Sequence, residues 1–330
     1  MRIPYQELND VLLRVLLKVG FEQVRAELCA RLFADTSRDG VYSHGLNRFP
    51  RFMAMISSGV VDIHAQPKLI ASCGAIERWD GRRGPGNLNA YASMERAIAL
   101  SRQHGVGCAA LANTNHWMRG GSYGWQAADA GAIGICWTNT LPNLPPWGAS
   151  EPRVGNNPLV IAVPRSDGRI VLDMAMSQFS IGALESYRRR GEQLPVVGGF
   201  DSKGQPTRDA AAIEASGRTV PIGYWKGSGL ALMLDLLASL LSGGSATREI
   251  PRDSLQETEL SQMFIAFDLQ RIDQNETHEK LVNEIIEFVH GTDPSETVRY
   301  PGERTLQVRK ENLEKGIPVE KEVWEQIQRM

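Results

Sequence analysis

The apolar residues of this chain change period twice, and that change limits the folds open to it. Leu12, Leu13, Leu16 and Leu17 repeat at helical spacing within 5–19. A second amphipathic helix is expected from about Glu22 to Arg38, stopped by Gly40. Leu46, Phe49, Met53 and Ile56 resume a helical face, with Pro50 tolerable only near its first turn. From about residue 67 the pattern alternates. "AIERWDG", "VGCAALA" and "AIGICWT" read as strands, separated by the helices "LNAYASMERAIALSRQHG" and "SYGWQAADAG". "PLVIAVP" and "RIVLDMA" add two strands joined by "RSDG", whose Asp-Gly pair signals a hairpin, so the sheet should be mixed. Strand-like "MFIAFDL" follows, and then helices at about 276–290, 303–314 and 319–329. The fold class is therefore α/β. The length of the chain suggests about two domains. Residues 191–229, rich in glycine and proline, exceed the usual loop length and read as a functional or disordered connection.

Charge and cysteine content narrow the partners. With 36 Lys and Arg against 38 Asp and Glu, and no long basic block, neither nucleic acid nor a membrane surface is indicated, and a small molecule fits better. The apolar run at 230–241 is too short to span a bilayer and contains Asp235. Four scattered cysteines without a C-x-x-C pair, and a start lacking an apolar signal core, read as a reduced cytoplasmic protein.

Six histidines occur, so each can be weighed against its surroundings. His44 stands in "VYSHGLNRFPRF", in a loop just ahead of a helix that carries Arg48 and Arg51. His116 lies in the polar "NTNHWMRGG" that follows a strand, where α/β ligand sites form; a loop histidine bonded to a backbone carbonyl explains it as well. His104 and His290 precede glycines at helix ends and read as structural, and His64 and His278 have no supporting context. Asp173 should fall at the edge of the sheet and needs a partner: a ligand hydroxyl, a backbone donor or a catalytic histidine.

A G-x-G-x-x-G dinucleotide fingerprint is absent, since "GRRGPGN" has the wrong order and "KGSGLAL" lacks the third glycine. Lys226 and two glycines before a helix suit a phosphate, but a plain helix start explains them equally. "YRRRG" at 187–191 could hold a 2′-phosphate; a solvated helix end is the better reading. No pair of residues has metal-ligand spacing, so no metal is expected.

Taken together, "SHGLNRF", "NTNHW", "GNNPLVIAVP", "LDMAMS", "YWKGSGLAL" and "PGER" resemble the type 2 malate/L-lactate dehydrogenase family nearly end to end. The resemblance implies a non-Rossmann nucleotide-binding α/β domain of 67–275, packed with a helical domain built from the N- and C-terminal segments 1–66 and 276–330, and a homodimer. It implies NADH as cofactor, with NADPH admitted, and reduction of a sugar-derived 2-oxo acid, 2,3-dioxo-L-gulonate to 3-dehydro-L-gulonate foremost. Other 2-oxo or cyclic imino acids of the malate, lactate or ureidoglycolate type are the alternative, and a metal-dependent hydrolase or lyase is the remote rival. His44 matches the family's proton donor. Cofactor contacts fall on Arg169, Ile170, Val171, Leu172, Asp173, Met174 and Ala175, on Trp225 and Lys226, and on Gly302, Glu303 and Arg304. The family's N-S-x-H-F-G departs here to "NTNHWMRGG", and its usual threonine is Met176; both departures point away from lactate and malate. In this scheme imidazole protonates the developing alkoxide, while Arg48 forks onto the substrate carboxylate. His44, Arg48, His116 and Asp173 are the candidate catalytic set.

Overall fold

The computed structural model describes residues 1–272, 277–291 and 297–330. A seven-stranded mixed sheet runs, edge to edge, through Lys68–Cys73, Ile76–Asp80, Val106–Thr114, Leu260–Asp268, Ala132–Thr138, Leu159–Val163 and Ile170–Met174. Only the pairing of Ile76–Asp80 with Val106–Thr114 is parallel. The "RSDG" hairpin forms as expected, with Val163 opposite Ile170. The edge strand Lys68–Cys73 carries no sequence signal, because all six residues are solvent-exposed and nothing imposes alternation.

Helices cover both faces of the sheet, and the strand Val106–Thr114 shows why. Ala109 and Leu111 point into a core shared with helices Gly86–His104 and Gly121–Asp129. Cys108 and Ala110 point the other way, against Ala231, Leu234 and Ala238 of helix Trp225–Ser242. Side chains alternate along a strand, so small residues on both faces let helices approach closely. A separate core joins helices Tyr5–Lys18, Gln23–Arg38 and Phe49–Ser57 to Ile317, Trp324 and Ile327 near the C-terminus, with Phe33, Phe49 and Phe52 at its centre. Pro50 sits in the first turn of its helix, where a missing N–H costs nothing. The helices expected at the C-terminus are His278–His290, Glu303–Lys315 and Lys321–Arg329; Glu276, in the first of those expectations, lies outside the described residues.

Two expectations change. The 191–229 segment is ordered rather than a bare connection. It holds a two-stranded ribbon of Gly199–Phe200 and Pro206–Thr207 and the helix Ala210–Ser216, and Leu194, Ala210 and Ile213 close with Leu184 into a small core of their own. Apolar anchors so far apart in sequence show no period, which hides them. Lys226, Gly227 and Gly229 also lie inside the first turns of helix Trp225–Ser242, not ahead of it. Gly227 serves packing there: a Cβ would stand 2.2 Å from the Ile222 carbonyl oxygen.

One buried carboxylate ties the helical layer to the α/β layer. Asp39, 4% exposed, ends helix Gln23–Arg38. It accepts from Arg309 Nε (2.7 Å) and Nη2 (2.8 Å), from Arg119 Nη1 (2.7 Å) and from Arg38 Nε (2.9 Å). Burial opposes the charge, but the three guanidiniums prevail and hold the Asp39 carboxyl down at about 2. Arg309 also lies over the Trp125 ring at 4.4 Å. Asp39→Asn leaves Arg119 and Arg309 with no carboxylate partner among the described residues, while Arg38 keeps Asp35 (2.7 Å), so it should cost about 3–5 kcal/mol, read from urea unfolding.

Candidate active site

A cleft of ≈ 830 Å³ opens between the two layers, lined by His44, Arg48, Arg51, His116, Arg119, Asp173 and Glu257 among others. His44 reaches it from a 3-10 turn, Tyr42–His44, that the following glycine locks in place. A Cβ on Gly45 would fall 2.3 Å from Ser37 Oγ, the hydroxyl that accepts from Leu46 N (2.8 Å). The "SHG" stretch thus packs flush on helix Gln23–Arg38 and leaves its ring toward the cleft. Ser43 Oγ lies 2.9 Å from His44 Nδ1, so Nε2 has no protein partner among the described residues.

His116 stacks on His44, ring centroids 6.0 Å apart and planes at 29°. Its Nδ1 accepts from Met118 N at 3.0 Å, which leaves its proton on Nε2. The expected alternative, a bond to a backbone carbonyl, is not what forms. Most of the polarity around it is structural: Asn113 Nδ2 donates to Asp80 Oδ1, and Asn115 Nδ2 to the carbonyls of Arg83 and Gly84. Polar loops after strands are rich in such local bonds, so composition alone does not separate them from ligands.

Positive charge surrounds both rings. Burial first, then Arg48, Arg119 and Arg51, pushes His44 down to about 4, and burial with Arg48 carries His116 well below its usual range. Arg48 is itself lowered to about 10 by burial and by Arg51, with Glu257 opposing. Among the described residues its only carboxylate neighbour is Glu257 Oε2, at 3.9 Å, beyond hydrogen-bond reach. The sequence reading missed Arg119 and Glu257. Arg119 stands in the polar loop already singled out, but the role of each depends on distant partners, Asp39 and Arg51.

Asp173 found the backbone donor among its expected partners, accepting from Gly121 N at 2.8 Å, and it bonds to neither histidine. Its carboxylate therefore caps helix Gly121–Asp129, where negative charge is favoured. Burial raises its proton affinity, while Arg119 and the Gly121 amide lower it. A Cβ on Gly121 would meet Asp173 Oδ2 at 2.7 Å. Of the expected cofactor residues, Val171, Leu172, Asp173, Ala175 and Gly302 line the cleft. The Gly302 turn seats on the strand through Val171 N donating to Pro301 O (2.9 Å), with φ +97° and a Cβ position 3.1 Å from Val171 N. Arg169, Ile170, Met174, Glu303 and Arg304 do not line it: Arg169 pairs with Asp129 (2.7 Å), and Glu303 accepts from Tyr300 N (3.2 Å). Trp225 and Lys226 are exposed and outside the lining. The three arginines of "YRRRG" are each paired with a carboxylate: Arg188 with Glu214, Arg189 with Glu185 and Glu320, and Arg190 with Glu192. No group of His, Cys, Asp or Glu suited to a metal occurs among the described residues.

The cleft fits a nicotinamide cofactor. Its volume lies within the roughly 300–1,000 Å³ of small-molecule sites. Glycines at 121 and 302 bring backbone against the Asp173 strand, and the buried Arg119 Nε has no hydrogen-bond partner.

Fold and cleft together describe a small-molecule site on a mostly antiparallel mixed sheet, outside the all-parallel Rossmann class. The malate/L-lactate dehydrogenase family model matches residues 3–328, and the chain belongs to that family; it is an oxidoreductase that works with a nicotinamide cofactor. Among individual relatives, it is 46% identical over 331 residues, 99% of each chain, to 2,3-diketo-L-gulonate reductase of Escherichia coli O6:K15:H31. Solved structures with the same fold include sulfolactate dehydrogenase from Methanocaldococcus jannaschii (TM-score 0.91, 27% identity, covering 99% of this chain and 95% of that one). Another is Δ1-piperideine-2-carboxylate reductase from Pseudomonas syringae pvar. tomato (0.87, 28%, covering 100% and 99%).

Held neutral in the cleft, His44 binds its proton less well folded than unfolded, so its contribution destabilises the fold as pH falls from about 6.5 toward 4. Across that window the urea midpoint should fall less steeply in His44→Asn than in the parent chain.

Proposed function

We propose that this chain reduces a sugar-derived 2-oxo acid with NADH, 2,3-dioxo-L-gulonate to 3-dehydro-L-gulonate foremost. The observation that carries this reading is the convergence of His44, His116 and the loosely paired Arg48 in one cleft. The 46% identity to 2,3-diketo-L-gulonate reductase supports the substrate. The carboxylate partners of Arg188, Arg189 and Arg190 favour NADH over NADPH, since a 2′-phosphate would have to displace them.

In this reading the nicotinamide supplies the hydride. Arg48 forks onto the substrate carboxylate and so fixes the adjacent carbonyl. His116 donates a hydrogen bond from Nε2, and His44 delivers the proton to the developing alkoxide. Asp173 shapes the cofactor wall rather than transferring protons, its carboxylate being held by the Gly121 amide. The outer cofactor residues carried by the resemblance, Arg169, Ile170, Met174, Trp225, Lys226, Glu303 and Arg304, remain part of the proposed set; Lys226 stands at the start of the long apolar helix.

That helix exposes Leu230, Met233, Leu236, Leu237, Leu240 and Leu241, a large apolar face for a surface helix. It supports a homodimer, in which twofold pairing covers the face. Four free cysteines favour a cytoplasmic location. Sedimentation should show a dimer that persists on dilution to working enzyme concentration.

A screen of 2-oxo acids with NADH and NADPH, followed by loss of reduced-nicotinamide absorbance, tests the activity; turnover insensitive to chelators separates it from a metal-dependent hydrolase. His44→Asn should bind NADH nearly normally and lose about 10²–10⁴ in kcat, whereas Arg48→Lys should chiefly raise KM. The pH profile has a definite sign. Free enzyme holds His44 neutral at pH 7, and a carboxylate on Arg48 offsets the cations that keep it so. The limb lost as pH rises should therefore lie lower in kcat/KM than in kcat for reduction.

A further inference from the structure

We propose that Glu257 is a positioning residue for the substrate carboxylate, holding Arg48 in the cleft beside Arg51 without touching substrate itself. The inference rests on the reading of Arg48 as the carboxylate clamp. Glu257 is 3% exposed and sits just ahead of strand Leu260–Asp268. Its Oε1 accepts from Leu141 N (3.4 Å), and its Oε2 faces Arg51 Nη2 (3.5 Å) and Arg48 Nη2 (3.9 Å). Arg51 is anchored a second time, donating to the Ser254 carbonyl. One carboxylate thus stands between two guanidiniums, one of them fixed and the other lightly held.

The asymmetry suits the chemistry. A buried guanidinium without any counter-ion is expensive and would swing to solvent, whereas a tight bidentate pair would leave no donors for substrate. At 3.9 Å, with a fifth of its side chain exposed, Arg48 keeps a nearby negative charge and donors still free for an incoming anion. Without Glu257, Arg48 and Arg51, side by side at the start of helix Phe49–Ser57, would repel each other.

Geometry and bare electrostatics predict opposite results for Glu257→Gln, which makes the test decisive. Deleting a negative charge near an anion site should by Coulomb attraction alone lower KM for the 2-oxo acid. A positioning role instead raises it, on the order of 10- to 100-fold, because a misplaced clamp loses its alignment. The change in kcat at saturation should stay within a few-fold, and NADH affinity, read by fluorescence, should be unchanged. Glu257→Asp, which keeps the charge one methylene short, should give an intermediate KM, and it decides the matter if the glutamine variant does not fold. Combined with Arg48→Ala, Glu257→Gln should add no further loss. A folded Glu257→Gln or Glu257→Asp enzyme with parental or lower KM overturns the proposal. If Arg48→Ala alone leaves KM unchanged, the clamp reading fails instead.

Discussion

The Asp39 carboxylate is the constraint on which the rest of the cleft depends. It ends one N-terminal helix and gathers arginines from three places: Arg38 beside it, Arg119 from the loop before helix Gly121–Asp129, and Arg309 from helix Glu303–Lys315. Arg119 and Arg309 have no other carboxylate partner among the described residues, and the charge is unfavourable in the interior without the guanidiniums. Segments far apart in sequence are therefore held in one register. The cleft between the layers inherits that register, because Arg119 and Trp125, which Arg309 covers, both line it.

The same arrangement sets the electrostatics of the site. Arg119 is spent on Asp39, yet its field still reaches His44, and Arg48 and Arg51 share the single carboxylate of Glu257. The result is a cleft with two histidines kept neutral by the arginines near them and with Arg48 only loosely paired, which suits it to an anion. Glycines complete it by removing side chains where backbone must come close: Gly45 under Ser37, Gly121 under Asp173 and Gly302 against Val171.

Much of this was legible in the chain. Periodicity located most of the helices and most strands of the main sheet, and "RSDG" located a hairpin. The motif set from "SHGLNRF" to "PGER" pointed to the family that the comparisons then established. Legibility failed where a local pattern was missing. The exposed strand Lys68–Cys73 has no buried face to impose alternation. The 191–229 unit builds its small core from isolated residues, and its glycines and prolines masked the order. "NTNHW" was seen as a polar segment at a strand end, but Asn113 holds Asp80, Thr114 accepts from Asn89 and Asn115 holds the carbonyls of Arg83 and Gly84, leaving His116 as the titratable group of that stretch in the cleft.

By itself the sequence determined which groups are available: a histidine ahead of a helix, an arginine four residues on, an aspartate at a strand end and glycines at the turns. Such assignments follow from local rules, since helix caps, turns and strand alternation act over a few residues. Only the tertiary structure decided what each group does in company. It set Asp173 on a backbone amide rather than on a histidine, left Trp225 and Lys226 outside the cleft of the single chain, and joined Arg48 to Glu257 across more than two hundred residues. Burial and Coulomb interactions depend on distances in space, and sequence separation carries no information about those until the chain is folded.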